Sequence, residues 1–354
     1  YAALLLSYKV LKIPPGRKLL LLMCMFICPI FQYCPFISAE AMIYSFVVMA
    51  LALYHEKHYR TAGLLVTAAG MANPVIMLFG AVMIVNYLVD ILSQARGMTV
   101  GGFIKMHFLN TLILALCYVP SFIPFIFNSI YSGKLNTTFG MFDLSGLIAR
   151  FLTYLFDTNL GFATFAGLLV LLAIVAFPLL IYRKRWDSLY YYAALFLTVL
   201  GFSCATNINC GMVLCARYVI WSYPMLAYIA ILFVPEIFRR TWLREAVQLI
   251  SIASVGVTLL INSRGSMGAF ENYTANNSLT QTVVDLFPQL YAPLTSTFYN
   301  RAMHIDGGYT QKESAAFFDS SSGEVRKLVV YGSGAGKHDA ALYFRCSKGD
   351  PQDF

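Results

Sequence analysis

The sequence predicts an all-α polytopic membrane bundle of about nine membrane segments, followed by a small α+β tail outside the cytoplasm. Of the 354 residues, 59% are hydrophobic and 12% are charged, and the mean hydropathy is +0.67. A soluble domain carries about a quarter charged residues. The basic residues behind the net charge of +8 sit in short clusters between long apolar runs. That pattern is typical of membrane topology and argues against a nucleic-acid partner.

The membrane segments are predicted from apolar runs that approach the roughly 20 residues needed to cross a bilayer. These runs cover residues 19–37, 41–54, 61–88, 104–127, 162–182, 189–204, 218–234 and 246–261. The run 61–88 is too long for one span and is interrupted at Asn73-Pro74. Proline removes a backbone donor and breaks a helix, so we count this run as two short segments. Such a broken pair can mark a binding site, and a proline-kinked hairpin is the alternative.

Charge then predicts the orientation of the segments. The basic residues assigned to the cytoplasmic loops are Lys9, Lys12, Arg17, Lys18, Lys57, Arg60, Arg96, Lys105, Arg183, Lys184, Arg185, Arg239, Arg240 and Arg244. They share one side only if the run 61–88 crosses twice or enters and returns. The predicted external exceptions before the tail are Lys134, Arg150 and Arg217.

Two domains are predicted, a transmembrane domain at 1–262 and a soluble extracytoplasmic tail at 263–354. In the tail, Ser, Gly, Asn and Asp replace the aliphatic runs. The segments 328–331 and 341–344 are predicted as short strands around the turn-rich segment 332–337.

Glu40 opens a predicted helix at the external side of the membrane. A carboxylate at that depth raises the free energy of the fold unless it is paired or hydrated, so it could orient a donor, accept a proton or hold a metal ion. Helix capping is the alternative, because Ser38 and Glu40 are residues that favour helix starts.

Arg217 and Tyr218 stand at the external membrane boundary. The guanidinium could hold a lipid phosphate by a bidentate contact, or it could simply anchor the helix in the headgroup layer. Lys134 is a candidate second phosphate contact, with a solvated loop lysine as the alternative. Asp157 and Asn159 could contact substrate hydroxyls, or they could cap the helix that follows.

Several short motifs occur in the order found in one enzyme family. These are Ser38-Ala39-Glu40-Ala41-Met42, Gly70-Met71-Ala72-Asn73-Pro74, Phe156-Asp157-Thr158-Asn159-Leu160-Gly161 and Ala216-Arg217-Tyr218. Together they resemble the multispanning GT-C glycosyltransferases, which include protein O-mannosyltransferase-like and aminoarabinose-transferase-like enzymes. The chain departs from that pattern at Asn73, where the family often has an arginine.

The resemblance implies transfer of a sugar from a polyprenyl-phosphate donor to a glycan, lipid or protein acceptor on the non-cytoplasmic face. It implies that Arg217 holds the lipid-linked phosphate and that Glu40 supports the donor or a divalent metal ion. The family's catalytic base lies in a first external loop, so we expect it before Tyr1, in a longer protein. An apolar groove between helices would hold the prenyl carbons, and a bacterial inner membrane is the expected location.

Two other functions stay open. A transporter or flippase would show inverted repeats and ionisable residues at mid-membrane, whereas the helix interiors here are nearly free of charge. A non-catalytic component of envelope polysaccharide assembly would tolerate the loss of Glu40 and Arg217, and an enzyme would not.

Overall fold

A computed structural model describes residues 1–34, 39–94, 99–133, 144, 146–158, 160–205 and 216–264, together with three isolated positions and three strands in the tail. The α-helices are α1 (Ala2–Val10), α2 (Pro15–Phe26), α3 (Glu40–His55), α4 (Tyr59–Ala72), α5 (Met77–Gln94), α6 (Val100–Tyr118), α7 (Ile123–Ser132), α8 (Leu147–Phe156), α9 (Phe162–Tyr182), α10 (Trp186–Ser203), α11 (Tyr223–Tyr228), α12 (Val234–Ile237) and α13 (Thr241–Arg264).

Five helical segments of the described part are long and apolar enough to cross a membrane. They are Pro74–Gln94, Ile104–Ser132, Phe162–Tyr182, Val219–Ile237 and Thr241–Leu260. Apolar side chains are exposed along most of them, as is typical of helices that face lipid. The described part is therefore a helical bundle of an integral membrane protein, as the sequence predicts.

The segment Val219–Ile237 lies at the centre of this bundle. Of its most apolar window 94% is buried, whereas no other candidate span exceeds 39%. It begins with a 3₁₀ turn at Val219–Ser222 and widens into a π-turn at Ile229–Phe233. Pro235 lies two residues after this turn, in the first turn of α12, where its missing N–H is tolerated. The central segment thus contains two irregular turns that surrounding residues bury.

Polar contacts define one end of the bundle, here called the basic end. The backbone N–H of Lys12 donates to Glu56 Oε1 over 2.7 Å. Glu236 pairs with Arg17 at 3.5 Å and with Arg185 at 2.5 Å. These contacts bring the start of α2, the end of α3, the α9–α10 turn and the end of the central segment to the same side. The opposite side is called the Glu40 end below.

The helices α4 and α5 form an antiparallel pair. Asp90, near the end of α5, accepts hydrogen bonds from Lys57 Nζ at 3.0 Å and from the Tyr59 hydroxyl at 2.6 Å. Between the helices, Asn73 is extended and the chain makes a 3₁₀ turn at Pro74–Ile76. The chain therefore enters at the basic end, reverses at the proline and returns to the basic end.

Two predicted runs differ from the observed helices, and prolines explain both differences. The predicted run 19–37 is helical only to Phe26, because Pro29 forces the preceding Cys28 into an extended conformation with φ −140° and ψ 172°. The predicted run 104–127 divides where Pro120 opens a 3₁₀ turn between α6 and α7. The second run still forms one candidate span, Ile104–Ser132, across this 3₁₀ turn.

The described part of the tail contains three strands, β1 (Tyr309–Asp319), β2 (Glu324–Ser333) and β3 (Ala341–Tyr343). They pair antiparallel in the order β1-β2-β3. The predicted segment 328–331 falls within β2, and 341–344 matches β3 except for residue 344, which lies outside the described residues. The strand β1 has no clear alternation of apolar and polar residues and was not predicted. That the tail is a separate module outside the cytoplasm stays a prediction.

Candidate functional site

Glu40 is the first residue of α3, and its side chain is only 1% exposed. The backbone N–H groups of a first helical turn have no partners within the helix, and they carry partial positive charge. A carboxylate is stabilised there, which accounts for the position of Glu40 in the fold. Ser38, the other candidate for the helix start, lies outside the described residues.

Arg217 pairs with this carboxylate across 177 positions of sequence, with its Nε donating to Glu40 Oε1. The Arg217 side chain is 36% exposed, so the pair reaches from the interior towards the surface. Partial burial lowers the pKa of the Arg217 guanidinium, but the hydrogen bond and charge of Glu40 outweigh this and raise that pKa. The arginine stays charged at every physiological pH.

The second carboxylate oxygen of Glu40 has different surroundings from the oxygen that pairs with Arg217. Glu40 Oε2 is buried and accepts no hydrogen bond from any residue that the structure describes. A buried acceptor without a donor costs about 1–3 kcal/mol, and more when it is charged. Such an oxygen has acceptor capacity that no described residue uses.

Aromatic side chains build a wall beside the pair. The guanidinium carbon of Arg217 lies 5.6 Å from the centre of the Tyr218 ring. Tyr218 stacks on Phe202 with ring centres 5.8 Å apart, and Trp221 donates its indole N–H to the Glu40 carbonyl oxygen over 3.3 Å. The last turn of α10 and the start of the central segment are thereby fixed against α3, and both groups of the ion pair are held in place.

Asp157 forms a turn that supports Arg217. Its Oδ1 accepts the backbone N–H of Leu160 over 2.8 Å. The carbonyl of Leu160 in turn accepts the N–H of Ala216 over 3.0 Å, one residue before Arg217. The Asp157 carboxylate thus holds the turn before α9, whose N-cap Gly161 has no side-chain cap, and it acts on Arg217 through the backbone.

The same turn requires glycine at position 161. A Cβ atom there would come within 2.7 Å of the Asp157 backbone nitrogen and oxygen and within 2.8 Å of the Thr153 carbonyl oxygen. Those atoms belong to backbone and cannot move aside easily. Gly161 thus permits the close approach that places Leu160 against Ala216.

Arg150 is a structural residue of this end that the sequence marked only as a basic residue on the external side. It is 7% exposed, and its Nε donates to the Ser203 carbonyl oxygen over 2.6 Å at the end of α10. A cation suits the partial negative charge of a helix C-terminus. Arg150 therefore fixes α8 to the end of α10, and the amphipathic pattern of 147–156 was the signal that could have placed it.

An apolar groove of about 590 Å³ lies between α8, α9 and α10, and its lining includes Phe156 and Phe162 at the ends of α8 and α9 that flank the Asp157 turn. Its walls include Phe151 and Phe156 on α8, Phe177 on α9, and Leu189 and Val199 on α10. Ten residues of helix separate Leu189 from Val199, which corresponds to about 15 Å, or half of a bilayer's hydrocarbon thickness. The groove has the size and character to hold part of a lipid chain.

The remaining predicted site residues, Lys134 and Asn159, lie outside the described residues. Within the described ranges, no group of three or more His, Cys, Asp or Glu side chains gathers where it could hold a metal ion. The Glu40 carboxylate does not fit a resident divalent cation, because Arg217 already neutralises it and would repel a second positive charge.

No known protein family, curated protein or solved structure shows detectable similarity to this chain. The function is therefore inferred from the geometry of the Glu40 end and from the motifs that meet there.

Proposed function

We propose that this protein binds a polyprenyl-phosphate-linked sugar at the Glu40 end and transfers the sugar to an acceptor on the non-cytoplasmic face. One observation carries the proposal: a partly exposed arginine and a buried carboxylate oxygen that accepts no hydrogen bond from the described residues lie at the end of the bundle where Phe156 and Phe162 line an apolar groove. These three features match the three parts of such a donor, which are phosphate, sugar hydroxyls and an apolar chain.

The proposed topology has nine membrane segments. Besides the five long candidates, we assign α2, α3, α4 and α10 as shorter crossings, each with one end at the basic end. The basic loops then lie in the cytoplasm, and Glu40, Arg217 and the tail lie on the other side. Locally thinned lipid would accommodate the 12-residue α2 and the 14-residue α4.

The proposed roles follow from charge. When the bond between sugar and phosphate breaks, negative charge grows on the departing phosphate, and the Arg217 guanidinium stabilises it. Glu40 holds the guanidinium in place and accepts a sugar hydroxyl at Oε2. The aromatic wall excludes water from one side, which strengthens both interactions.

The test is native mass spectrometry of the purified protein with an added polyprenyl phosphate, comparing the wild type with Arg217→Lys. Lysine keeps the positive charge beside Glu40 but loses the planar fork that binds phosphate in two places. We expect retention of the lipid to fall about tenfold. The matched control is Arg183→Lys at the basic end, which should change nothing. Equal retention by wild type and Arg217→Lys would refute the phosphate site.

A second variant tests the groove separately. Ala193 lines the groove, so Ala193→Phe should fill it and lower retention of the prenyl phosphate while leaving the Glu40–Arg217 pair intact. Ile181→Phe, which introduces the same side chain at an exposed position of α9 outside the groove, is the control. If both phenylalanine variants retain the lipid equally, the prenyl chain does not lie in this groove.

A flippase is the second candidate, favoured by the antiparallel pair α4–α5, of which α4 has only 14 residues, and by the irregular turns of the central segment. The two candidates differ in what happens to the bound lipid. A flippase in proteoliposomes would move a labelled prenyl phosphate between leaflets without an acceptor. A glycosyltransferase would leave the lipid in its leaflet and release the sugar only to an acceptor.

A further inference from the structure

A second pocket lies at the basic end, far along the bundle from Glu40. It has a volume of about 290 Å³ and is lined by Lys57, His58, Tyr59, Arg60, Tyr87 and Asn110, among others. The pocket thus combines the turn before α4 with faces of α5 and α6. It takes no part in the proposed transfer reaction.

The pocket carries positive charge that its own residues do not neutralise. Arg60 donates from Nη2 to the amide oxygen of Asn110, which is a neutral acceptor. Lys57 pairs with Asp90, but its side chain is 70% exposed and such an exposed pair is weak. Asp90 also receives the Tyr59 hydroxyl. An anion entering the pocket would therefore meet the full charge of Arg60 and a lysine that can turn towards it.

The first turn of α4 adds donors to the same pocket. α4 has 14 residues, no side chain caps its start and no acidic residue lies in its first turn. The backbone N–H groups of Tyr59, Arg60 and Thr61 have no acceptor among the described residues. Helix starts of this kind bind phosphate well, and here two cationic side chains and a polar cavity accompany the helix start.

The two helices that contribute Tyr87 and Asn110 to the pocket also carry exposed apolar side chains. Leu88 and Leu92 on α5 and Phe108, Leu109 and Leu112 on α6 are all exposed. Asn110 lies six residues after the start of the span Ile104–Ser132, about 9 Å along the helix. The pocket is thus a basic recess within a lipid-facing surface, close to the depth of lipid headgroups.

We propose that this pocket binds the phosphate of an anionic phospholipid from the leaflet at the basic end. The phosphate would accept hydrogen bonds from Arg60 and from the first turn of α4, and the acyl chains would lie on the exposed faces of α5 and α6. Basic pockets between helices on the cytoplasmic side are typical sites for anionic headgroups.

The test is native mass spectrometry of the full chain with equal amounts of phosphatidylglycerol and phosphatidylcholine. We expect preferential retention of phosphatidylglycerol, and a loss of about tenfold in Arg60→Gln, since one charge-assisted contact disappears. Arg183→Gln removes the same charge at the same end but outside the pocket, and it should keep the lipid. Equal loss of bound phosphatidylglycerol in both variants would show that general surface charge, and not this pocket, retains the lipid, and it would overturn the proposal.

Two further arms keep the test decisive. Thr61→Glu places a carboxylate in the first turn of α4, where it favours the helix but repels phosphate, so it should release the lipid without loss of folding. Unchanged retention in Thr61→Glu would overturn the proposal even if Arg60→Gln failed to fold. Displacement of the lipid by millimolar inorganic phosphate would assign the pocket to a free anion and would also overturn it.

Discussion

Replacing Arg217 by alanine should destabilise the protein far more than the loss of one half-exposed side chain would. The substitution leaves the Glu40 carboxyl 1% exposed and without the Arg217 guanidinium that pairs with it. Breaking a fully buried ion pair costs about 3–5 kcal/mol. Because the arginine is 36% exposed, water replaces part of the interaction, and we expect about 2–3 kcal/mol. In a Glu40→Gln background the ion pair with Glu40 is already lost, and Arg217→Ala should cost only about 0.5–1 kcal/mol.

The double-mutant cycle therefore predicts a coupling free energy of about 2 kcal/mol between the two residues. Unfolding free energies can be measured by titrating the purified protein in mild detergent with dodecyl sulfate. Arg183→Ala, which removes an exposed arginine from the end of α9, is the control and should change the free energy by less than about 0.5 kcal/mol. A coupling below about 0.5 kcal/mol would refute the pairing.

Three further predictions concern the supports of the Glu40 end. Gly161→Ala should lower the free energy of unfolding by about 1–3 kcal/mol, because the new Cβ would meet backbone atoms at 2.7 Å. Gly167→Ala, with nothing within 4 Å of the new Cβ, should be neutral or stabilising. Unfolding titrations of the two variants in parallel measure the difference. Asp157→Ala should lower the free energy of unfolding by about 1 kcal/mol and speed amide hydrogen exchange at 216–221. Asp157→Asn keeps an acceptor and should change that exchange little. Equal exchange rates in the two variants would contradict the role of Asp157 in the turn. Arg150→Met should cost about 1–3 kcal/mol by leaving the buried carbonyl of Ser203 without its donor, and an unchanged unfolding free energy would contradict the contact.

The sequence predicted the membrane class well because hydropathy and charge are averaged over many residues. Long apolar runs and basic loops each repeat along the chain, so single exceptions do not alter the result. The reversal at Asn73-Pro74 was also accessible, since proline acts on backbone geometry that is local in sequence.

The pairing of Glu40 with Arg217 was not accessible in the same way. The two residues were identified separately, as a helix start and a phosphate ligand, and their contact depends on the packing of α3 against the central segment. A single sequence contains no signal for that contact. The role of Asp157 was likewise divided between two alternatives, because the partner of its turn, Ala216, is distant in the chain.

Helix ends were less predictable where a proline left several possible geometries. The run 19–37 was predicted as one span, although Pro29 and the 3₁₀ turn that follows divide it. The pocket around Arg60 was not predicted, because its basic residues were interpreted only as evidence for how the helices are oriented in the membrane. Its character depends on where α5 and α6 place Tyr87 and Asn110.

The separation of 177 residues between Glu40 and Arg217 also bears on how the protein is made. At about 5–20 residues per second, a ribosome needs roughly 9–35 s to reach Arg217 after Glu40 has been synthesised. During that interval the carboxylate has no arginine, and the central segment Val219–Ile237 has not been inserted. The helices that are inserted first therefore lack, during this interval, the central segment against which they pack in the complete fold. We expect truncated chains that end before Arg217 to be rapid substrates for membrane proteases and chaperones.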